Sequence, residues 1–192
     1  MPKVKLRSGF ATEVNGWARE LREDMGVRID GPLCPLALAE HLRIPVFAAT
    51  ALGLDGDVRR FLLSEEGGRE VSAGVFYVGA CAFIVANDAR GIKRYASDIA
   101  HEIAHVLLRH EPTVVLRDGG ARMYDEEAEA EAEKLGPGLL VSEEAALRAD
   151  RLIHGGTHTL YSLSDEWGIT RDVIRMRMNL VGAKKRRLLK VG

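Results

Sequence analysis

His101-Glu102-Ile103-Ala104-His105, set within the run from Arg94 to His110, is the stretch whose reading decides the fold. Two histidines four residues apart lie one above the other on the same face of an α-helix, close enough for their rings to share one metal ion. Neutral imidazole is a ready ligand for Zn²⁺, which in a catalytic site keeps three protein ligands and lowers the pKa of a bound water towards neutrality. Glu102, next to the first histidine, is placed to take that water's proton as general base. Ile99, Ile103, Val106 and Leu107 fall on the side away from the histidines, and Ala96, Ala100 and Ala104 leave room for close packing. Such a helix is expected to be buried on most sides, with a solvated face only at Lys93, Arg94, Asp98 and Arg109.

A third metal ligand has to come from another segment. Downstream, Asp125 to Glu133 is a block of acidic residues interleaved with alanine, a composition usual for a solvated helix face. Helical phase separates its members. Tyr124, Ala128, Ala132, Leu135 and Leu139 form one apolar stripe; Glu131 lies about 60° from Ala128 on its edge, and Glu127 about 100° away on the same side. Glu126, Glu129 and Glu133 read as pointing elsewhere. A carboxylate buried beside an apolar stripe is costly unless a cation compensates it, so Glu131 is the expected third ligand and Glu127 the second choice.

Upstream, Ala11 to Met25 has a helical period with Thr12 as N-cap and Gly26 as stop. A short helix follows at about Pro35 to His41, with His41 as a partner for the helix dipole, and Ile44-Pro45-Val46-Phe47 begins a strand. Val58 to Leu63 fits a strand or a short helix. Val75 to Ala86 is rich in β-branched and aromatic residues, and Gly79 suggests a turn or bulge inside it. Asn87-Asp88 ends that strand just before the metal-binding helix, where an edge strand could hold an extended peptide by main-chain pairing.

Composition narrows the classes. The chain has 192 residues, 29% charged, with a formal net charge of -1, so it is no general binder of polyanions or polycations. Cys34 and Cys81 stand apart in apolar settings and match no metal or redox spacing; they read as buried free thiols of a reducing compartment. The basic Met1 to Phe10 segment lacks an apolar export region and no run is long enough for a membrane span, so a cytoplasmic location is expected.

Taken together, His101 to His105 and the later Glu131-Ala132-Glu133-Lys134-Leu135-Gly136-Pro137-Gly138-Leu139-Leu140 resemble the ImmA/IrrE family of metallopeptidases. Ala37 to Val46, Ile84 to Asp88, and Trp167-Gly168-Ile169-Thr170-Arg171 through Met176-Arg177-Met178 resemble further segments of that family, in the same order. The resemblance implies an α+β fold: a small zincin-like metallopeptidase core, a few-stranded sheet packed on the HExxH helix. It further implies zinc held by His101, His105 and Glu131, with Glu102 as catalytic base, although Mn²⁺ or Fe²⁺ suits the same donors. Implied as substrate is a partner protein, a helix-turn-helix transcriptional repressor of prophage, mobile-element or stress-response genes. Pro137 departs from the family pattern and is expected to kink or end its helix.

The core is assigned to residues 1–142 and a C-terminal helical, helix-turn-helix-like segment to residues 143–192, packed on it. Ser142 caps a helix to about Ile153, and Gly155-Gly156 breaks it. Leu160 to Trp167, the turn Gly168-Ile169-Thr170, and Arg171 to Val181 then have helix-turn-helix spacing. Arg171, Arg175, Arg177 and Lys184-Lys185-Arg186-Arg187 make this end basic, which fits either weak DNA contact or a solvated terminus on helices that close the core. His154 and His158 flank the glycine break, as loop residues or as groups reaching the metal pocket. A non-catalytic regulator or toxin-type module, acting through DNA or a repressor, is the alternative to a peptidase.

Overall fold

A computed structural model of the chain describes residues 6–110 and 125–189. The elements run α1 (Phe10–Asp24), α2 (Pro35–His41), β1 (Val46–Ala48), α3 (Gly56–Leu63), α4 (Glu65–Glu70), β2 (Ala73–Val78), β3 (Cys81–Ala86), α5 (Ile92–Leu107), α6 (Glu126–Leu140), α7 (Glu143–His154), α8 (Leu160–Trp167), α9 (Arg171–Leu180) and α10 (Ala183–Leu188). The α+β expectation holds, with helix dominant. Val58 to Leu63 resolves as helix, begun by Asp55, whose carboxylate accepts from the Asp57 amide. Tyr124, the first member of the expected apolar stripe, lies outside the described residues. Among the described residues no helix is long and apolar enough to cross a membrane.

The apolar run at Val75 to Ala86 is two strands, since Gly79 adopts φ 60, a left-handed conformation that glycine takes without steric cost. β2 and β3 pair antiparallel, Val75 opposite Ile84, while β1 joins β3 in parallel, Val46 opposite Ile84, so β3 is central and β2 and β1 are edges. Alternation then sorts the side chains. Val75, Tyr77, Ile84 and Ala86 share the inner face, and Phe76, Phe83 and Phe47 the outer, where Phe76 stacks on Phe83 at 5.6 Å and Phe47 meets Phe83 edge-on at 5.9 Å.

Ile99 and Ile103 of α5 bury against that inner face, in one apolar cluster with Phe10 and Val14 of α1, Leu38 of α2, and Ala132, Leu135 and Leu139 of α6. On its other side α5 lends Ala100 to a second cluster built from Leu140, Val141, Ala145, Ala149, Leu163, Trp167, Ile169 and Ile174. The helix-turn-helix-like segment therefore closes a core that begins in α5 and α6. Thr170 caps α9 as its spacing requires, accepting from the Val173 amide.

Pro137 does not end α6, which runs through it to Leu140; this corrects the expectation of an early stop. Packing from both flanks supports the turn. A Cβ at Gly136 would lie 3.1 Å from the Ala100 carbonyl, and one at Gly138 would lie 2.3 Å from Val14 Cγ1. Small residues here let α5 and α1 approach the proline turn closely, and their apolar contacts offset the hydrogen bond proline lacks. Two buried arginines hold the end of the helix. Arg22 of α1 donates from Nη2 to the Leu140 carbonyl at 3.1 Å and from Nη1 to Ala18 at 2.9 Å, and Arg177 of α9 donates from Nε to the Val141 carbonyl at 2.8 Å. Guanidinium groups suit carbonyls left without partners at a helix C-terminus. Burial drives the Arg22 guanidinium down to about 10.

Both cysteines are free, as expected, but exposed rather than buried. Their apolar neighbours in sequence misled: Cys34 is the cap residue of α2 and Cys81 follows the Gly79 turn at the outer end of β3, places where side chains leave the core.

Candidate active site

α5 is aimed by contacts at its start. Asn87, almost fully buried, donates from Nδ2 to the carbonyls of Leu62 at 3.3 Å and Val71 at 3.0 Å and accepts from the Ala89 amide, tying the end of β3 to α3 and α4. Asp98, expected on a solvated face, is instead partly buried and paired with Arg90 at 2.8 Å. Burial raises its carboxyl above the ordinary range and the nearby Arg90 charge only partly opposes this.

His101 and His105 share one face of α5, their ring centroids 4.7 Å apart and their Nε2 atoms 3.0 Å apart. The carboxylate brought to them is that of Glu129: Oε2 lies 3.2 Å from His101 Nε2 and Oε1 3.7 Å from His105 Nε2. One ligand atom from each of His101, His105 and Glu129 lies within 4.8 Å of the others, a grouping able to hold a metal ion. Burial acts to lower the His101 pKa, but the Glu129 hydrogen bond and the charges of Glu102, Glu129 and Glu133 outweigh it, and the group ends above its ordinary value. A dication would take over the role that this extra proton affinity advertises.

Glu131, the carboxylate expected from helical phase, is buried but stands apart from that group. Its Oε1 accepts from Arg7 Nε at 2.8 Å and its Oε2 faces His110 Nε2 at 3.2 Å. The geometry thus groups Glu129 rather than Glu131 with the two histidines, while Glu127, the second choice, is exposed. On a helical wheel Glu127 and Glu129 lie symmetrically, about 100° either side of Ala128. Phase identifies the two edges of the stripe; it does not say which edge meets α5. The acidic N-terminus of α6 is set by Asp125, whose Oδ1 accepts from the amides of Glu127 and Ala128, and acidic residues in a first helical turn suit the helix dipole.

Glu102 is buried on α5, beside the histidines in sequence. Tyr77, on the inner face of edge strand β2, is near enough to feel it: burial first, then the Glu102 charge, raises the Tyr77 phenol above its usual value. His154 is exposed and His158 pairs with Glu166 at 3.0 Å, so neither joins the group. Sequence reasoning gave no role to His110 or Arg7. His110 is five residues after His105 and out of phase with it on a continued helix; only the way α5 ends brings the two rings together.

A small sheet packed on a helix that presents His-Glu-x-x-His, faced by a carboxylate from the next helix, defines a zincin-type metallopeptidase, a hydrolase acting on peptide bonds. Residues 57–179 match the profile of peptidase family M78, the IrrE N-terminal-like domain, and the chain belongs to this family of ImmA/IrrE metallopeptidases. The match takes in both α5 and α6. No curated protein and no solved structure matches the chain.

Proposed function

We propose that the protein is a zinc-dependent endopeptidase that cuts one exposed peptide bond in a partner protein, a helix-turn-helix transcriptional repressor. The observation that carries this reading is the convergence of His101, His105 and Glu129 beside a buried Glu102. Two imidazoles and a carboxylate suit zinc, with His101 and His105 binding through Nε2 and Glu129 through an oxygen. A bound zinc ion supplies Lewis acidity, acidifying water and polarising a carbonyl. Glu102 takes the proton of the attacking water and hands it to the leaving amine. Among the described residues β2 has β3 as its one strand partner, which leaves an edge for an extended substrate next to Tyr77 and Glu102. The repressor rests on the family resemblance.

The test is incubation of the zinc-loaded protein with the repressor encoded beside it, followed by mass spectrometry of the products. A single cleavage that Glu102→Gln abolishes is expected. An intact repressor, with the biological effect retained in Glu102→Gln, would turn the reading towards the non-catalytic regulator. That alternative draws on exposed Lys184 and Lys185. Arg177, however, is spent inside the core, and Arg187 pairs with Asp150 at 2.7 Å.

A further inference from the structure

The last turn of α5 has a feature that catalysis by Glu102 does not require. The Leu108, Arg109 and His110 amides donate back to the carbonyls of Ala104, Val106 and His105, the last at 3.0 Å, and Arg109 takes φ 55. That left-handed position closing a helix is usually glycine, because a Cβ there costs roughly 1 kcal/mol. Here the chain adopts it with arginine, and the result is that His110 folds back over the helix end. Its Nδ1 comes to 2.9 Å from Nδ1 of His105, and its ring centroid to 4.9 Å from the His105 ring.

The bonds beyond this contact form an ordered chain. Glu131 stands 3.2 Å from the other nitrogen of His110, and Arg7 donates to the far oxygen of Glu131 at 2.8 Å. The His110 and Glu131 side chains are each 11% exposed. Two facing ring nitrogens hold one proton between them, so the tautomers of this chain are linked. If Nε2 of His105 is a metal donor, the proton of that neutral ring is on Nδ1 and is donated to Nδ1 of His110. His110 must then carry its proton on Nε2, where the Glu131 carboxylate accepts it. Arg7, donating to the other oxygen, orients that carboxylate. Each link has one donor and one acceptor, and reversing the one between the two rings puts a proton on the atom His105 needs for the metal.

We propose that His110, oriented by Glu131 and Arg7, is a positioning residue that fixes His105 in the Nδ1–H tautomer and so presents its Nε2 to the metal. The proposal rests on the metal-site reading above. It gives the buried Glu131 carboxylate a role beside the metal rather than on it, as outer partners of metal-bound histidines commonly have.

The test uses the full chain, stripped of metal and titrated with Zn²⁺ against a chromophoric chelator, alongside ¹⁵N-correlated NMR of the histidine rings. For the parent, measurable zinc binding is expected, with His105 protonated at Nδ1 and His110 at Nε2. His110→Ala should weaken zinc binding by about tenfold or more while the metal-free protein unfolds near the parent's temperature. His110→Asn, whose amide oxygen can accept from His105 Nδ1, should recover most of the loss. Equal zinc affinity in His110→Ala, or a His105 ring protonated at Nε2 in the zinc-loaded parent, overturns the relay and leaves the metal site standing. A parent that binds no zinc overturns both.

Discussion

Glu129 and Glu131 sit two residues apart on one helix, and the molecule uses them in opposite ways. Glu129, on one edge of α6, faces the Nε2 atoms of two histidines, at 3.2 Å from His101 and 3.7 Å from His105. Glu131, on the other, is more deeply buried and answers a guanidinium and an imidazole. Burying a carboxylate requires compensation in either case. For Glu131 it comes through Arg7; Glu129 lies where a metal ion shared with the two histidines would add to it. The lesson is that depth alone does not mark a ligand, because the deeper carboxylate faces Arg7 and His110 while the shallower one stands with the histidine pair.

Zinc affinity, measured on metal-stripped protein by chelator competition, separates the two edges. The largest effect is expected for His105→Ala, which removes a direct donor and should weaken binding by more than about a hundredfold, beyond the range seen for outer partners. Glu129→Gln follows, with a loss on the order of a hundredfold if it is a direct donor, and Glu131→Gln with about tenfold if it acts through His110. A larger loss for Glu131 than for Glu129 would return the third ligand to the position that helical phase suggested. Smaller again is Arg7→Gln: Arg7 is about half exposed, its side chain 47% accessible, so the variant should unfold close to the parent's temperature, and the difference should shrink as salt is raised. Glu127→Gln closes the series and should leave both zinc affinity and stability within about 0.5 kcal/mol of the parent, as for an ordinary surface position.

What the sequence made legible follows from how local each signal is. His101, Glu102 and His105 are set by one helical repeat, and the structure places them on one helix with the burial expected of Ile99, Ile103 and Ala104. The helix start at Ser142 was equally readable, since a cap is decided within four residues, whereas Thr12 was not the cap of α1, which begins after Gly9. The placing of Glu129 beside the histidines was not legible, because choosing between the two edges of a stripe depends on how α6 docks on α5, a tertiary fact. His110 was hidden by a left-handed residue that is not glycine, and Arg7 by the 124 residues between it and Glu131. Arg177 shows the reverse error. Its basic neighbours in sequence suggested a surface for DNA, yet its guanidinium is buried against Val141 and Asn15, which only the meeting of α9, α6 and α1 could reveal.

Two arginines that bond to α6, one at its end and one at Glu131, also bear on what counts as a working unit. Arg22 and Arg7 precede residue 57, where the family match begins, while α6, which both of them hold, lies inside it. Cooperative boundaries are set by which groups lose their partners when a segment leaves. A fragment limited to the family match would strip the Leu140 carbonyl and the Glu131 carboxylate of their donors in a single cut. The first helix thus behaves as a clasp on the catalytic domain, and a piece of this chain that keeps its metal site should include α1.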